Sequence, residues 1–326
     1  MGSALDPHRV LLNDGNYLPI FGLGTSSTDK PVKGETVEAV KIAIEMGYRH
    51  FDGALMYGNE DEVGEAIRAK IADRTVKRED VFYTSKVWMT YLSPTLVQKA
   101  LEKTLKDVQL DYIDLYLVHW PMGLKPSENE LFPSDASGKI LMDDVDFRET
   151  WKVMESCKEA GLVRSIGVSN FNRAQLEMVL KMPNLKYKPV CNQVECHPYF
   201  NQNKLLKYCQ HNNIVLVGYS PLGKLNYSKF VSPEKPILLN DPELKKIGDK
   251  LHKSVAQVVL RYQVQRGVVV IPKSFNQGRM KQNMAIFDFE LTNEEMKTIN
   301  GLNKSIRYVT LEQLQDHPKY PFHDEY

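Results

Sequence analysis

The sequence predicts a (β/α)8 barrel with an N-terminal β-hairpin and long loops at its C-terminal face. Short β-branched runs alternate with amphipathic helical segments through eight units, which indicates a parallel sheet. Eight units in roughly 300 residues favour one closed barrel over an open sheet with a second domain. A glycine-rich dinucleotide fingerprint is absent, because the segment GLGTSS at residues 22–27 lacks the third glycine. We therefore expect residues 1–326 to form a single barrel domain.

The first elements are a hairpin, a strand and a helix. Residues 13–16 (NDGN) separate two apolar runs and predict a β-hairpin, and the second run leads into a first core strand that ends near Thr25. Apolar residues then recur at Val37, Val40 and Ile44, a helical spacing that stops at Gly47.

Seven further units complete the predicted barrel. In chain order, each unit is given as its strand followed by its helix: strand RHFDGA with a helix from Glu60; strand VFYTSKV with a helix opening at Ser93-Pro94; strand YIDLYLVHW with helix DFRETWKVMESCKEAG; strand SIGVSN with helix RAQLEMVLKM; strand VCNQVE with helix QNKLLKYCQHN; strand IVLVGYS with a helix near residues 256–265; and strand VVVIPKS with helix QGRMKQNMAIF.

Two segments interrupt this rhythm, residues 121–145 after the fourth strand and residues 222–240 after the seventh. Like the tail from Asn303, they are long and rich in Pro, Ser and Asn. Loops of that length in a compact domain are usually functional lids or disordered segments. Because both follow a strand, we expect them to overhang the C-terminal face, where barrel enzymes hold their active sites.

Composition narrows the class of protein. Lys and Arg total 42 against 41 for Asp and Glu, so no charge excess indicates a nucleic acid or an acidic membrane as partner. No apolar run approaches the roughly 20 residues that span a bilayer. The N-terminus lacks a signal peptide's apolar core, and Asp6 stands where a myristoylation motif requires Ser or Thr. We therefore expect a cytoplasmic protein.

The cysteines show no paired zinc spacing: they are Cys157, Cys191, Cys196 and Cys209. One alternative is a metal site formed by Cys191, Cys196 and His197. Reduced cytosolic thiols are the expected state, because cytosolic proteins rarely keep disulfides. We expect no metal.

Reactive residues stand at the ends of three consecutive predicted strands. Asp52, Lys86 and His119 occupy these ends, and Tyr57 follows Asp52 by five residues. A free phenol has a pKa near about 10, and a neighbouring ammonium group would lower it. Asp52 would keep the amine of Lys86 charged, and His119 would donate an N–H to a carbonyl oxygen. The set predicts a proton-donor assembly; the alternative is a buried Asp–Lys pair at the barrel rim, with Tyr57 packing beside it.

Seven segments resemble successive motifs of the aldo-keto reductases: GYRHFDGALMYGNEDEVG, VFYTSKVW, LDYIDLYLVHWP, GLVRSIGVSNFN, NQVECHPY, GYSPLG and VVVIPKSFNQGRMKQN. They occur in family order and cover nearly the whole chain. The tail HPKYPFHDEY is similar to that of vertebrate hydroxysteroid dehydrogenases, prostaglandin reductases and steroid 5β-reductases. The resemblance implies a barrel that binds NADP(H) in extended form across its C-terminal face. It also implies a catalytic tetrad of Asp52, Tyr57, Lys86 and His119, with Tyr57 as the acid.

The same resemblance implies a set of cofactor contacts. These are Thr25 on the ribose side, Ser169, Asn170 and Gln193 on the nicotinamide amide, Tyr219 stacked on the nicotinamide ring, Lys273, Ser274 and Arg279 on the adenosine 2′-phosphate, Gln282 and Asn283 near adenine, and further contacts from Asp52, Ser220 and Leu222. Charge-assisted donors from Lys and Arg suit a phosphate group.

Several positions depart from the motifs of particular branches. The 5β-reductases carry Glu where this chain has His119, which argues against reduction of a carbon–carbon double bond. Trp120 follows as in aldose reductases, where many hydroxysteroid dehydrogenases have a small residue. Lys224 stands where the family often has Ser near the pyrophosphate, and Phe230 falls where many steroid enzymes have Trp. These departures affect the substrate cavity and the cofactor clamp.

The expected cavity walls are apolar or aromatic: Met56, Trp88, Trp120, Met122 and Phe230, with Tyr57 and His119 at the reacting end. Such a cavity suits steroids, prostanoids or lipid aldehydes. We therefore expect a monomeric, NADPH-dependent carbonyl reductase of hydrophobic ketones and aldehydes, with a hydroxysteroid dehydrogenase favoured. The alternatives are an aldose-reductase-like aldehyde reductase, a prostaglandin reductase and, from another class, an enzyme-derived lens crystallin.

Overall fold

A closed parallel barrel forms the centre of the molecule. The computed structural model describes residues 8–26, 32–223, 235–324 and 326. Within them, an eight-stranded parallel sheet runs in chain order through β1 Leu23–Gly24, β2 His50–Asp52, β3 Phe82–Val87, β4 Ile113–Val118, β5 Val163–Ser169, β6 Cys191–Glu195, β7 Val215–Tyr219 and β8 Val269–Val270. Parallel bridges from Phe21 to Val270 and from Gly24 to Lys273 join the first strand to the last. The predicted (β/α)8 barrel is therefore confirmed.

The helices of the described residues are α1 Glu35–Glu45, α2 Glu60–Ala72, α3 Pro94–Val108, α4 Phe147–Glu159, α5 Arg173–Leu180, α6 Asn203–His211, α7 Pro242–Leu251, α8 Val255–Gln265, α9 Gln277–Met284 and α10 Asn293–Asn300. Each predicted unit has its helix, with α8 and α9 serving the last two units. Helices α7 and α10 were not predicted. None of the helices in this part of the chain is long and apolar enough to cross a membrane.

The two unpredicted helices carry clear start signals. The side chain of Asp241 accepts hydrogen bonds from the first backbone amides of α7, and Pro242 occupies the first helical position. Thr292 and Glu295 form a reciprocal capping box at the start of α10. Strand–helix alternation does not predict these two helices, since neither belongs to a new unit.

The predicted N-terminal hairpin is also confirmed. Strand Arg9–Leu11 pairs antiparallel with Tyr17–Pro19. In the turn, Asp14 accepts hydrogen bonds from Lys158 Nζ and Ser165 Oγ, each at 2.8 Å. Burial opposes ionisation of Asp14, but these two donors outweigh it and lower the pKa of the carboxyl. Asn16 also donates to the carbonyl of Arg164, just after β5 begins, so the hairpin closes the N-terminal end of the barrel.

The insert at residues 121–145 is more ordered than an irregular loop. Its ends form a two-stranded antiparallel ladder between Gly123–Leu124 and Met142–Asp143, with a further bridge between Ser134 and Ile140. A side chain at Gly123 would lie 2.7 Å from the carbonyl oxygen of Asp143, so glycine permits this close approach. Residues 224–234 of the second insert, including Lys224 and Phe230, lie outside the described residues.

The C-terminal tail crosses the C-terminal mouth of the barrel. Glu195, the last residue of β6, is fully buried and accepts hydrogen bonds from the backbone amides of Tyr308 (2.6 Å) and Val309 (2.8 Å). Further along, the ring of Phe322 packs edge-to-face against Trp120, which follows β4. The tail therefore connects the ends of β4 and β6, which lie on either side of β5 in the sheet.

The apolar core has three parts. Apolar side chains inside the barrel form one part with the hairpin, the largest part packs between the strands and the helices, and a third lies among helices α7, α8 and α10. The four cysteines are all buried and carry free thiols. Among the described residues, no group of three or more His, Cys, Asp and Glu side chains is placed to hold a metal ion.

His50 is a polar exception inside the barrel. It is buried in β2, with Nδ1 at 3.2 Å from the carbonyl oxygen of Pro19 and Nε2 at 3.3 Å from Thr84 Oγ1. Burial lowers the pKa of His50 to about 4, with a smaller opposing contribution from Asp52. The imidazole therefore stays neutral where the unfolded chain would already be protonated.

This difference predicts a pH-dependent stability. Unfolded His takes up its proton near pH 6.5, so the contribution of His50 to the free energy of unfolding is present above that pH and is lost as pH falls towards 4. Between pH 7 and pH 5 the wild type should lose about 2 kcal/mol more than a His50→Gln variant. Urea unfolding of both proteins at pH 7, 6 and 5 measures this difference. Equal pH slopes would show that His50 is protonated in the folded state.

Candidate active site

The four predicted catalytic residues converge at the C-terminal mouth. Asp52 ends β2, Lys86 lies near the end of β3 and His119 directly follows β4, while Tyr57 ends the 3₁₀ turn Leu55–Tyr57. These three strands are consecutive neighbours in the parallel sheet, so their C-terminal ends lie side by side. The turn between β2 and α2 then brings the phenol over the same place.

The amine of Lys86 is held by three acceptors. Its Nζ donates to Asp52 Oδ1 at 2.6 Å, to the carbonyl oxygen of Gly53 at 2.8 Å and to the Tyr57 hydroxyl at 3.2 Å. These acceptors use all three N–H bonds of the ammonium group. The other carboxylate oxygen of Asp52 accepts from Gln193 Nε2 at 2.7 Å. The amine therefore has a fixed direction towards the phenol.

The pKa values of Lys86 and Tyr57 depend on the balance between burial and the charge of the neighbouring group. Burial lowers the pKa of Lys86, but the carboxylate of Asp52 outweighs it and the pKa is raised, so the amine stays charged. Burial raises the pKa of Tyr57, and the lowering by Lys86 is the smaller effect. The lowering expected from Lys86 is therefore present, but burial outweighs it and the pKa of Tyr57 lies above its ordinary value. The phenol keeps its proton at neutral pH, as a proton donor must.

His119 provides a neutral imidazole next to the phenol. Burial, assisted by the charge of Lys86, lowers the pKa of His119 well below its usual range. Its ring meets those of Tyr57 and Trp88 edge-to-face, with centroid distances of 6.0 and 5.2 Å. Nδ1 is buried and has no hydrogen-bond partner among the described residues. A neutral imidazole carries one N–H, which suits it to donate to an uncharged carbonyl oxygen.

The residues predicted to hold a nicotinamide lie on the adjoining strand ends. Asn170 donates through Nδ2 to the carbonyl oxygen of His119 (3.0 Å) and accepts at Oδ1 from the Tyr219 hydroxyl (2.8 Å). Ser169 Oγ donates to the carbonyl oxygen of Gln193 at 2.8 Å. Asn170 has φ 60° and Ser220 has φ 47°, in the left-handed region that non-glycine residues seldom adopt. Such backbone strain is often found at functional sites.

Thr25 follows β1, and Leu222 follows β7. Thr25 is buried, and both its backbone N–H and its hydroxyl donate to the carbonyl oxygen of Asp52, at 3.0 and 2.9 Å. Its hydroxyl therefore supports the backbone of Asp52 in this structure. Leu222 is half-buried in the turn after β7.

A cationic group lies at the start of α9. Lys273 follows β8 at the closing bridge of the barrel, and Ser274 comes next. Arg279 lies in the first turn of α9, where its backbone N–H donates to the Asn276 side chain. The side chains of Lys273 and Arg279 are exposed, and neither makes an ion pair with a described residue. Two such cations at a helix N-terminus fit a phosphate group.

The adenine-side candidates occupy the other end of this short helix. Gln282 is exposed and Asn283 is buried, both in the last turns of α9. Together with the amide-bearing strand ends, the available donors fit a nicotinamide dinucleotide that carries an additional phosphate.

The predicted cavity walls are largely enclosed. Trp88 and Met122 are fully buried, Trp120 is 4% exposed and Met56 is half-buried beside Tyr57. Phe230 lies outside the described residues. Trp88 donates from Nε1 to the carbonyl oxygen of Leu131 at 2.7 Å. The first insert therefore fixes Trp88, which in turn packs against the imidazole.

Two contributors to this site were not predicted. The carbonyl oxygen of Gly53 accepts from Lys86, but a backbone oxygen leaves no mark in the sequence. Phe132 packs against Trp88 at a centroid distance of 5.5 Å, from a segment that shows no periodicity. An aromatic residue in a long loop over an active face was the one available signal for Phe132.

A closed β/α barrel that gathers a phenol, an amine, a carboxylate and an imidazole at its mouth defines a class of oxidoreductases. Residues 20–304 match the family model of the aldo/keto reductase family, and the chain belongs to that family. Membership makes it an oxidoreductase of C=O and CH–OH groups that uses a nicotinamide cofactor.

Within the family, the chain is similar to vertebrate enzymes over nearly its whole length. It is 55% identical to aldo-keto reductase family 1 member C4 of Homo sapiens, over 99% of this chain and 100% of the relative. Prostaglandin F synthase 1 of Bos taurus is 56% identical over the same shares. Estradiol 17 beta-dehydrogenase 5 of Mus musculus is 56% identical over 97% of this chain and 98% of the relative.

Proposed function

We propose that this protein is an NADPH-dependent carbonyl reductase of hydrophobic ketones, with ketosteroids as the favoured substrates. The observation that carries the proposal is the protonated phenol of Tyr57 beside the neutral imidazole of His119, with the Lys86 amine 3.2 Å from the phenol oxygen. The relative named as an estradiol dehydrogenase supports a steroid substrate. The relative named as a prostaglandin synthase supports a prostanoid ketone as the second candidate.

In this proposal, side chains of the protein bind the carbonyl oxygen and supply the proton. When bound, the nicotinamide would supply the hydride. The N–H of His119 and the hydroxyl of Tyr57 hold the carbonyl oxygen, and Tyr57 gives its proton to that oxygen as the carbon becomes an alcohol carbon. Lys86 stabilises the phenolate that remains, and Asp52 keeps Lys86 charged and in place.

The cofactor would lie along the remaining strand ends. Ser169, Asn170 and Gln193 would hold its amide, and Tyr219 would stack on its ring. Lys273, Ser274 and Arg279 would hold the extra phosphate, with Gln282 and Asn283 beside adenine. The two exposed cations at the start of α9, which form no ion pair with a described residue, support the choice of NADPH over NADH.

The imidazole at position 119 also supports reduction of a carbonyl group over that of a conjugated double bond. A protonated carboxyl group in this place would be smaller and would let a substrate enter more deeply. His119 instead fills the space with a ring packed against Trp88, and Trp120 follows it with only 4% of its surface exposed. Hydride delivery to the carbonyl carbon is therefore the favoured outcome.

The proposed role of Tyr57 predicts the behaviour of Tyr57→Phe. Loss of the proton donor should slow carbonyl reduction by about 10²–10⁴-fold. Binding of NADPH should remain nearly intact, because the Tyr57 hydroxyl bonds only to Lys86 among the described residues. Steady-state turnover and a fluorescence titration with NADPH measure the two quantities. A Tyr262→Phe variant, which loses a partly buried phenol bond to Asn300 between α8 and α10, should match the wild type. Wild-type turnover by Tyr57→Phe would refute the role of the phenol.

The proposed role of Arg279 predicts the behaviour of Arg279→Met. Charge-assisted hydrogen bonds contribute roughly 1.5–3 kcal/mol, so the Kd for NADPH should rise by about ten-fold or more while that for NADH hardly changes. Lys281→Met is the matched control, since it removes one positive charge from the same helix. Titration of each variant with both cofactors gives the comparison. Equal weakening of NADPH and NADH would mean that Arg279 does not contact the phosphate.

A further inference from the structure

A second carboxylate is buried behind the Tyr57–Lys86 pair. Glu60 begins α2 and is only 4% exposed. Its Oε1 accepts hydrogen bonds from Ser85 Oγ at 2.6 Å and Tyr83 Oη at 2.9 Å, and its Oε2 accepts from Thr104 Oγ1 at 3.0 Å. No described Lys or Arg side chain forms an ion pair with it. Burial raises the pKa of Glu60, so this placement is energetically unfavourable for the carboxylate.

Two of the three donors, Ser85 and Tyr83, are in direct contact with residues that hold or carry the Lys86 amine. Ser85 immediately precedes Lys86 in β3. The phenol of Tyr83 packs against Gly53 so closely that a side chain at position 53 would overlap its hydroxyl. Gly53 in turn presents the carbonyl oxygen that accepts from Lys86 at 2.8 Å. A shift of Tyr83 would therefore move one of the three acceptors that orient the amine.

The carboxylate also fixes the turn that carries the phenol. Tyr57 ends its 3₁₀ turn only three residues before Glu60, with Gly58 and Asn59 between them. The third donor, Thr104, belongs to α3, and Gly64 of α2 lies directly against the backbone of Val108 at the end of α3. The start of α2 is thus held between β3 and α3, and the position of the turn follows from it.

We propose that Glu60 is a positioning residue for proton transfer, which sets the Tyr57–Lys86 geometry through Tyr83, Ser85 and the start of α2. The inference rests on the proposed function, because it assigns Glu60 to the reduction step that Tyr57 serves. Its physical basis is that a displacement of about 1 Å between reacting groups can slow a reaction by about 10²-fold. A purely structural carboxylate would affect stability without affecting this step.

The test uses three variants that change the network while leaving the tetrad intact: Glu60→Gln, Tyr83→Phe and Ser85→Ala. Glu60→Gln and Tyr83→Phe should each lower kcat for carbonyl reduction by about ten-fold, with the Kd for NADPH and the substrate KM nearly unchanged. The primary isotope effect on kcat, with NADPH deuterated at the transferred hydrogen, should increase because the chemical step becomes slower. Ser85→Ala should show the same changes to a smaller extent.

Tyr262→Phe is the matched control, since it removes a partly buried phenol bond of 3.0 Å to Asn300 between α8 and α10. Its kcat and isotope effect should equal those of the wild type, whatever stability it loses. If Glu60→Gln does not fold, Tyr83→Phe and Ser85→Ala decide the question.

Two results overturn the inference in distinguishable ways. In the first result, Tyr57→Phe loses activity as predicted, but Tyr83→Phe and Ser85→Ala keep the kcat and isotope effect of the wild type. This result would overturn the role of Glu60 alone. Wild-type activity in Tyr57→Phe would overturn the proposed function and the role of Glu60 with it.

Discussion

The ion pair between Lys86 and Asp52 lies at the centre of this structure. The Lys86 side chain is fully buried and that of Asp52 is 3% exposed, and their 2.6 Å contact joins β2 to β3 at the barrel mouth. Removing one partner of such a pair leaves a buried charge without compensation, which typically costs about 3–5 kcal/mol. The neighbouring groups are arranged to satisfy the remaining bonds: Gly53 and Tyr57 accept from the amine, and Gln193 donates to the carboxylate. The direction of the phenol and the position of β6 both depend on this pair.

The proposed catalytic groups and the proposed substrate-facing groups are held by different parts of the fold. Asp52, Lys86, His119 and the amide-bearing residues come from strand ends, which a closed barrel holds rigidly, and Tyr57 comes from the 3₁₀ turn that follows β2. The aromatic side chains around them are held by loops: Trp88 by the carbonyl oxygen of Leu131, and Trp120 by Phe322 of the tail. This division allows loops to change substrate choice while the proton-transfer groups keep their geometry.

The sequence was sufficient for the barrel and for the position of the tetrad, because strand–helix alternation and polar strand ends are local patterns. It was insufficient where strands are very short, as in the two-residue ladder at Gly123–Leu124, which has no detectable period. Helices α7 and α10 start at the capping residues Asp241 and Thr292, but strand–helix alternation alone does not predict a helix at either place. The direction of the Tyr57 pKa could not be predicted, since it depends on how far burial outweighs one ammonium group. The roles of Lys273, Arg279 and the other cofactor candidates stay predictions.

Product identification tests the central claim most directly. The unmutated protein would be incubated with NADPH and a ketosteroid that contains both an isolated carbonyl and a conjugated enone, and the products would be separated and identified. The arrangement of Tyr57 and His119 predicts an alcohol at a former carbonyl carbon, with the carbon–carbon double bond intact. A product saturated at the double bond, with every carbonyl retained, would contradict it.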